Sequence, residues 1–270
     1  MNKTVSISDY RAQARTALKE QWGINAGLIF LAGLISGIIE MIFGNMTSFA
    51  PDSTQENILN FLLDNFLLFA FTYSLVYIAL FVMRGGKAKM NLLLVVFQKE
   101  YFVPLLLIHL LNTVVNWLIN SLVFLPAILM SGVRSYASLI LNSSGTVAVS
   151  VSEGGFLDFG VIFGMLLLLF ISVILMNIVG GLFQFAVWAK FDYPELTVMQ
   201  ALRYAWYLMK DRWFTYILLQ LSFVGWYILG ALALVFGLLW VIAYVNVTAA
   251  GFYDHARNEK GAPAEYFAQV

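Results

Sequence analysis

Polar side chains set inside long apolar stretches are the residues of this chain best able to do chemistry. His109, Asn112, Asn116 and Asn120 recur at spacings of three, four and four, with Thr113 beside them. On a helix this spacing draws one polar stripe. An amide in hydrocarbon has to find a partner, and helix-to-helix hydrogen bonds supply one at about 0.6–2 kcal/mol each. The stripe is therefore either glue that turns this helix towards its neighbours or the lining of a polar pathway or binding site. In both cases His109, Asn112 and Asn116 should face the bundle interior, answered by Asn177, Gln184 and Gln220, with Leu106, Leu110 and Leu118 on the other faces. A lone His109 is no metal site, because no second ligand follows at helical spacing. Glu40 and Asp64 sit near the ends of apolar runs. An ionisable group at membrane depth is costly, so each is a functional candidate. Each carboxylate lies either at the headgroup level or, paired or protonated, against a cavity.

The chain contains no Walker A loop, no HExxH and no GxSxG. Nor does a nucleophile–base pair stand out, so the reading is of no enzyme and no cofactor. Cysteine is absent, which removes disulfides, thiolate metal sites and Cys nucleophiles.

The elements that must hold these residues follow from composition. Of 270 residues, 61% are hydrophobic and only 11% charged. Soluble domains carry about 25% charged residues, so this chain cannot cover a water-facing surface. A soluble enzyme, a disordered chain and a nucleic-acid binder are excluded; an all-α polytopic membrane protein is indicated. Fifteen basic residues balance fifteen acidic ones, which argues for no polyanionic partner. The first apolar run begins only near Asn25, without the pattern of a cleaved leader, so the mature chain is expected to keep its N-terminus.

A helix needs about 20 apolar residues to cross the hydrocarbon core. Six spans are expected, at about residues 25–44, 61–83, 102–130, 161–188, 213–231 and 237–254, forming a domain over 25–258. Residues 1–24 precede it as an amphipathic segment and 259–270 follow as a short tail. The pair Gly180-Gly181 suggests a bend in the fourth span. The last apolar run lacks a charged break. A turn between Gly230 and Gly237 divides it into two spans, and one span plus a re-entrant piece reads similarly.

Fourteen of the fifteen Lys and Arg fall on one face of this six-span arrangement, and only Arg134 on the other. The basic face is expected to be cytoplasmic, with both termini on it. On that side residues 6–22 place Ile7, Tyr10, Ala14, Ala17 and Leu18 on one helical face, flanked by Arg11, Arg15 and Lys19. This reads as an interfacial helix whose cations reach anionic headgroups, or as a solvated lead-in to the first span. Residues 91–101 form a second amphipathic candidate. A third follows Thr197 and Gln200, which have capping-box spacing, with Val198, Leu202, Ala205, Trp206 and Met209 as its apolar stripe. Gly33/Gly37 and Gly160/Gly164 form GxxxG pairs that suggest close packing. Asn142-Ser143-Ser144 matches a glycosylation sequon, a weak three-residue signal.

The C-terminal third has a distinctive order. Asp192-Tyr193-Pro194, Ala201-Leu202 and Leu208-Met209-Lys210 lead into Leu221-Ser222-Phe223-Val224-Gly225-Trp226. Gly237-Leu238-Leu239-Trp240, Ala243-Tyr244 and Phe252-Tyr253 follow. This order resembles the bacterial integral membrane family known as domain of unknown function 975. Arg11, Ala14-Arg15, Leu18-Lys19 and Trp22-Gly23 are similar to that family's opening helix. Two departures are Ala243, where the family has Pro before the Tyr, and a long outer connection over 131–158. The resemblance implies a six-span plasma-membrane protein, mostly of Gram-positive bacteria, and brings no catalytic residue. Ser222, Phe223, Gly225, Trp226, Phe252 and Tyr253 are read as structural. Gly225 would permit close helix approach with Trp226 beside it, and Ser222 would bond to the carbonyl four residues earlier.

The functional class favoured is a non-enzymatic accessory or interaction protein of the envelope. Its partners would be the bilayer and another membrane protein, a lipid or an envelope-active peptide. No nucleic acid is expected, and a homo-oligomer is compatible with the helix faces. The alternative is a small transporter or lipid flippase that uses the stripe of the third span.

Overall fold

A computed structural model describes residues 5–47, 53–125, 159–233 and 236–268. The sequon at Asn142, Arg134 and the whole of the long connection over 131–158 lie outside the described residues. Everything described is helix, turn or irregular, with no strand. Six helical stretches are long and apolar enough to cross a membrane, so the chain is a multi-pass integral membrane protein.

Helix α1 (Ile7–Ala17) opens on a capping box in which Ser6 and Asp9 satisfy each other's backbone N–H groups. Its apolar face does not lie free in an interface as the sequence suggested. Tyr10, Ala14 and Leu18 are buried, and the Tyr10 ring packs on Phe252 and His255 at 5.2 and 5.7 Å. An apolar helical face reads alike whether lipid or protein covers it, and here protein does.

Helix α2 (Trp22–Thr47) is the first span. Only Asn25, Ala26, Leu28 and Ala32 of it are buried, all in its first half. The second span begins earlier than expected, because Ser53 caps α3 (Thr54–Leu63). It passes through a π-helical turn, Asp64–Leu68, into α4 (Phe69–Met83). Gly85 closes α4 at φ +84°, with Gly86 N–H donating to the Phe81 carbonyl at 2.9 Å. A left-handed residue at this place lets the last carbonyls find donors.

A 3-10 segment, Met90–Phe97, folds back against α4, and α5 (Lys99–Val123) forms the third span. Along α5, Val103, Leu107, Leu111, Val114, Leu118 and Leu122 form an exposed apolar face, while Leu105 and Ile108 are buried opposite. The fourth span is α6 (Phe159–Asp192), which runs through Gly180 and Gly181 without interruption. Gly181 serves close approach rather than a bend: a Cβ there would stand 2.4 Å from the Tyr216 ring. Gly33, Gly37 and Gly164 have nothing within 4 Å of that position, so the expected close packing at these glycines is not seen.

Lys190 caps the end of α6 by donating from Nζ to the carbonyls of Pro194 and Leu196. Helix α7 (Val198–Met209) has the expected capping box between Thr197 and Gln200. Its buried face is Ala201, Tyr204, Ala205, Leu208 and Met209. The stripe is rotated from the expected one, and Trp206 is exposed against Trp213. The fifth span joins α8 (Trp213–Leu221) to α9 (Val224–Leu232), broken at Ser222 and Phe223. The sixth is α10 (Phe236–Lys260), which extends well past residue 254. Helix α9 ends at Leu232 and α10 begins at Phe236, inside the 230–237 region where the division was expected. The two helices start face to face, since a Cβ on Gly237 would lie 2.8 Å from the Gly230 carbonyl oxygen. The tail forms α11 (Pro263–Phe267), whose Tyr266 stacks on Tyr207 at 4.4 Å.

The core sits at the basic end. Trp188, Tyr204, Tyr253, Phe185 and Phe252 are fully buried there, and the Trp188 indole donates to the Val76 carbonyl at 2.8 Å. Towards the other end Met41, Met46, Leu122 and Phe170 are exposed, as lipid-facing side chains are.

Candidate functional site

The π turn at Asp64–Leu68 shapes the site. Such a turn holds one residue more than α-helical geometry, and it recurs at functional positions. Here it turns Asn65 inward, where Nδ2 donates to the Phe61 carbonyl at 2.8 Å and Oδ1 accepts from Thr113 at 3.0 Å. Asp64 beside it opens onto a cleft of about 320 Å³ between the first three spans. Ser36 and Glu40 of α2, Asp64, Asn65, Phe69 and Thr72 of the second span, and His109 of α5 line it. His109 stacks on Phe69 at 5.2 Å and meets the edge of Tyr73 at 5.6 Å.

Asp64 lies roughly 30 Å along the helix from Arg84, and Thr72 roughly 18 Å, at 1.5 Å rise per residue. The cleft thus descends from the end opposite the basic one to about the middle of the bundle. Below it the packing closes. A void of about 10 Å³ beside Asn25, Ile78 and Asn246 has room for at most one water. Three candidates named from sequence, Glu40, Asp64 and His109, therefore share one cavity. Among the described residues no basic side chain pairs with Glu40 or Asp64.

The rest of the stripe divides. Asn116 Nδ2 donates to Asn112 Oδ1 at 3.1 Å, while Asn116 Oδ1 is buried with no hydrogen-bond partner among the described residues. Asn120 Oδ1 accepts from Ser172 of α6 at 2.9 Å. The answering groups are thus Asn65 and Ser172. Asn177 instead bonds within its own helix, to the Val173 carbonyl, and Gln220 donates to Tyr216.

At the basic end a charged network ties three spans. Arg84 donates to both Asp192 carboxylate oxygens at 2.6 and 2.8 Å, and to Asp254 at 2.7–3.2 Å. Arg257 donates to Asp192 at 3.1 Å, and the Tyr253 hydroxyl to the same carboxylate at 3.0 Å. Burial alone would lower the Arg84 pKa. Its hydrogen bonds to Asp192 and Asp254 outweigh burial and hold it above the usual arginine value. Sequence reasoning named Asp192 and Tyr253 through the family motif but missed Asp254. The available signal was Asp254 and Arg257 at helical spacing beside Tyr253.

The motif residues serve two assemblies. Phe252 packs on Tyr10 and Tyr216, and Tyr253 joins the network. Phe223, Trp226 and Tyr244 surround the Arg11 guanidinium at 5.3, 6.0 and 6.0 Å from the ring centroids. Arg15 donates to the Tyr244 hydroxyl at 3.0 Å, and that hydroxyl donates to the Arg11 carbonyl at 3.2 Å. A Cβ added to Gly225 would meet nothing within 4 Å, so the close helix approach expected at this glycine is not seen. Ser222 donates to Leu219, three residues earlier rather than four, because the helix breaks at that point.

No curated protein and no solved structure matches the chain. The family model described as protein of unknown function (DUF975) matches residues 1–260. With that match covering all six spans, the chain belongs to this family.

Proposed function

We propose that this chain is a non-enzymatic protein of a bacterial plasma membrane, with both termini cytoplasmic, that holds a cationic amphiphile in the cleft between its first three spans. The observation that carries this reading is the joining of Glu40, Asp64 and His109, from three helices, around one cavity. Two carboxylates without a basic partner among the described residues favour a ligand that brings positive charge, because an unpaired carboxylate in low dielectric is costly. Leu68 and Phe69 on the same wall suit an apolar chain. An envelope-active peptide and a cationic lipid are both of this class. The basic-residue asymmetry supports the orientation, with the cleft opening to the outer leaflet.

The experiment uses protein in neutral nanodiscs and a dialkylammonium lipid as probe, with retention read by native mass spectrometry. Wild type should retain the cationic lipid over a phosphatidylcholine control, and Glu40→Gln/Asp64→Asn should lose that preference by about tenfold or more. Equal retention by the double variant would remove the reading.

Transport through the same cleft is the second reading. The observation that favours it is the Arg84–Asp192–Asp254–Arg257 network, which closes the bundle at the end opposite the cleft as an inner gate would. Flux of the cationic probe across proteoliposomes, absent in the double variant, would establish it; binding without flux returns the weight to the first.

A further inference from the structure

The Arg11 box holds a charge that its surroundings do not neutralise. Arg11 and Arg15 stand one helical turn apart on α1, and both meet Tyr244. Like charges at this spacing repel. Neither has a carboxylate partner among the described residues, since every ion pair of a described arginine falls on Arg84, Arg212 or Arg257. Three aromatic rings pack around the Arg11 guanidinium. They compensate part of its charge through the ring quadrupole but accept no hydrogen bond in the plane of the guanidinium. Its Nε is buried with no hydrogen-bond partner among the described residues. The position matters too. Trp22, the first residue of α2, packs edge-on against Tyr244 at 5.7 Å, so the pair lies where the first span begins. Trp226, which flanks the box, is 42% exposed. Trp22, a half-buried indole at the start of the first span, marks the headgroup level.

We propose that Arg11 and Arg15 bind a phosphate group in the angle between α1, α9 and α10. A phosphate presents several anionic oxygens at the spacing of a guanidinium fork. Bridging the two arginines, it would relieve their repulsion and satisfy the Arg11 Nε–H donor. Two sources share that chemistry: the phosphodiester of an anionic lipid headgroup, and phosphate free in solution. This site is separate from the cleft and does not depend on what the cleft binds.

The test uses the full chain in a neutral detergent, titrated with phosphatidylglycerol, phosphatidylcholine or inorganic phosphate. Bound lipid is read by native mass spectrometry, and occupancy by quenching of the tryptophan emission to which Trp22 and Trp226 contribute. Wild type should bind phosphatidylglycerol about tenfold more tightly than phosphatidylcholine, and Arg11→Gln/Arg15→Gln should lose the difference. Arg15→Gln alone, at an exposed position, should lose part of it. Inorganic phosphate that displaces phosphatidylglycerol at millimolar concentration would assign the site to soluble phosphate, and failure to displace would assign it to the lipid. Equal binding of the two lipids by wild type, with no response to inorganic phosphate, overturns the proposal. So does a phosphatidylglycerol preference that survives in both variants.

Discussion

At the scale of single residues, hydrogen-bond count separates groups that the sequence ranks alike. Asp192 accepts from Arg84, Arg257 and Tyr253, while Asp64 has no ion pair with any described residue. Removing Asp192 leaves two arginines short of a partner and a tyrosine hydroxyl without its acceptor. Asp192→Ala should lower stability by about 2–3 kcal/mol, the range for charge-assisted bonds when Arg84 is one-third exposed. Tyr253→Phe removes one bond and should cost about 1.5 kcal/mol. Thermal unfolding in detergent checks both; equal losses would mean that Tyr253 carries the network. The glycines separate in the same way. Gly181→Ala drives a Cβ to 2.4 Å from the Tyr216 ring and should cost about 1–3 kcal/mol. Gly225→Ala meets nothing within 4 Å and should be neutral or mildly stabilising. Loss of folded protein from Gly225→Ala would return that glycine to a packing role.

At the scale of elements, the π turn is where local geometry becomes a site. A π turn behaves as one residue inserted into an α-helix. Deleting Phe66 should restore α pitch and keep α3 and α4 in register with their neighbours, while withdrawing Asp64 and Asn65 from the cleft. Folded yield should stay close to wild type, and retention of the cationic lipid should fall about tenfold. A deletion that abolishes folding instead would make the turn structural. None of this was legible in sequence, because an apolar run carries no periodic mark of one extra residue. The spans themselves were legible, since length and hydropathy decide them. The amphipathic face of α1 was legible as well, but not its partner: Tyr10, Ala14 and Leu18 suit lipid as well as Phe252. The stripe of α5 was legible as a stripe. Its division between Asn65 and Ser172 depends on which helices lie beside it, and spacing within one helix does not encode that.

At the scale of the whole molecule, burial is uneven, and this decides how the protein should come apart. The basic end joins α1, α7, the ends of α4 and α6, and α10 around a fully buried aromatic core of Phe185, Trp188, Tyr204, Phe252 and Tyr253. The opposite half consists of helices whose side chains mostly face outward, with Phe43, Met46, Leu122 and Phe170 exposed. Within it, the Asn65–Thr113 and Asn120–Ser172 hydrogen bonds and the Phe61–Trp117 ring contact link the helices. Glu40, Asp64 and His109 converge only through this loosely packed half, which explains why residues so far apart in the chain gave no joint signal. Local opening follows buried apolar contact. Hydrogen exchange in detergent should therefore be slowest in residues 76–83, 185–191 and 243–256, and faster in the second half of α2 and the last turns of α5. Transfer to a bilayer should slow the second group more than the first, because lipid supplies the contacts that protein does not. The cationic lipid probe should slow exchange around Asp64 and Thr72 and leave residues 243–256 unchanged. Uniform protection along α2 and α5 in detergent would mean that the two halves open as one unit, and a cleft able to admit a ligand without unfolding the basic end would then lose its physical basis.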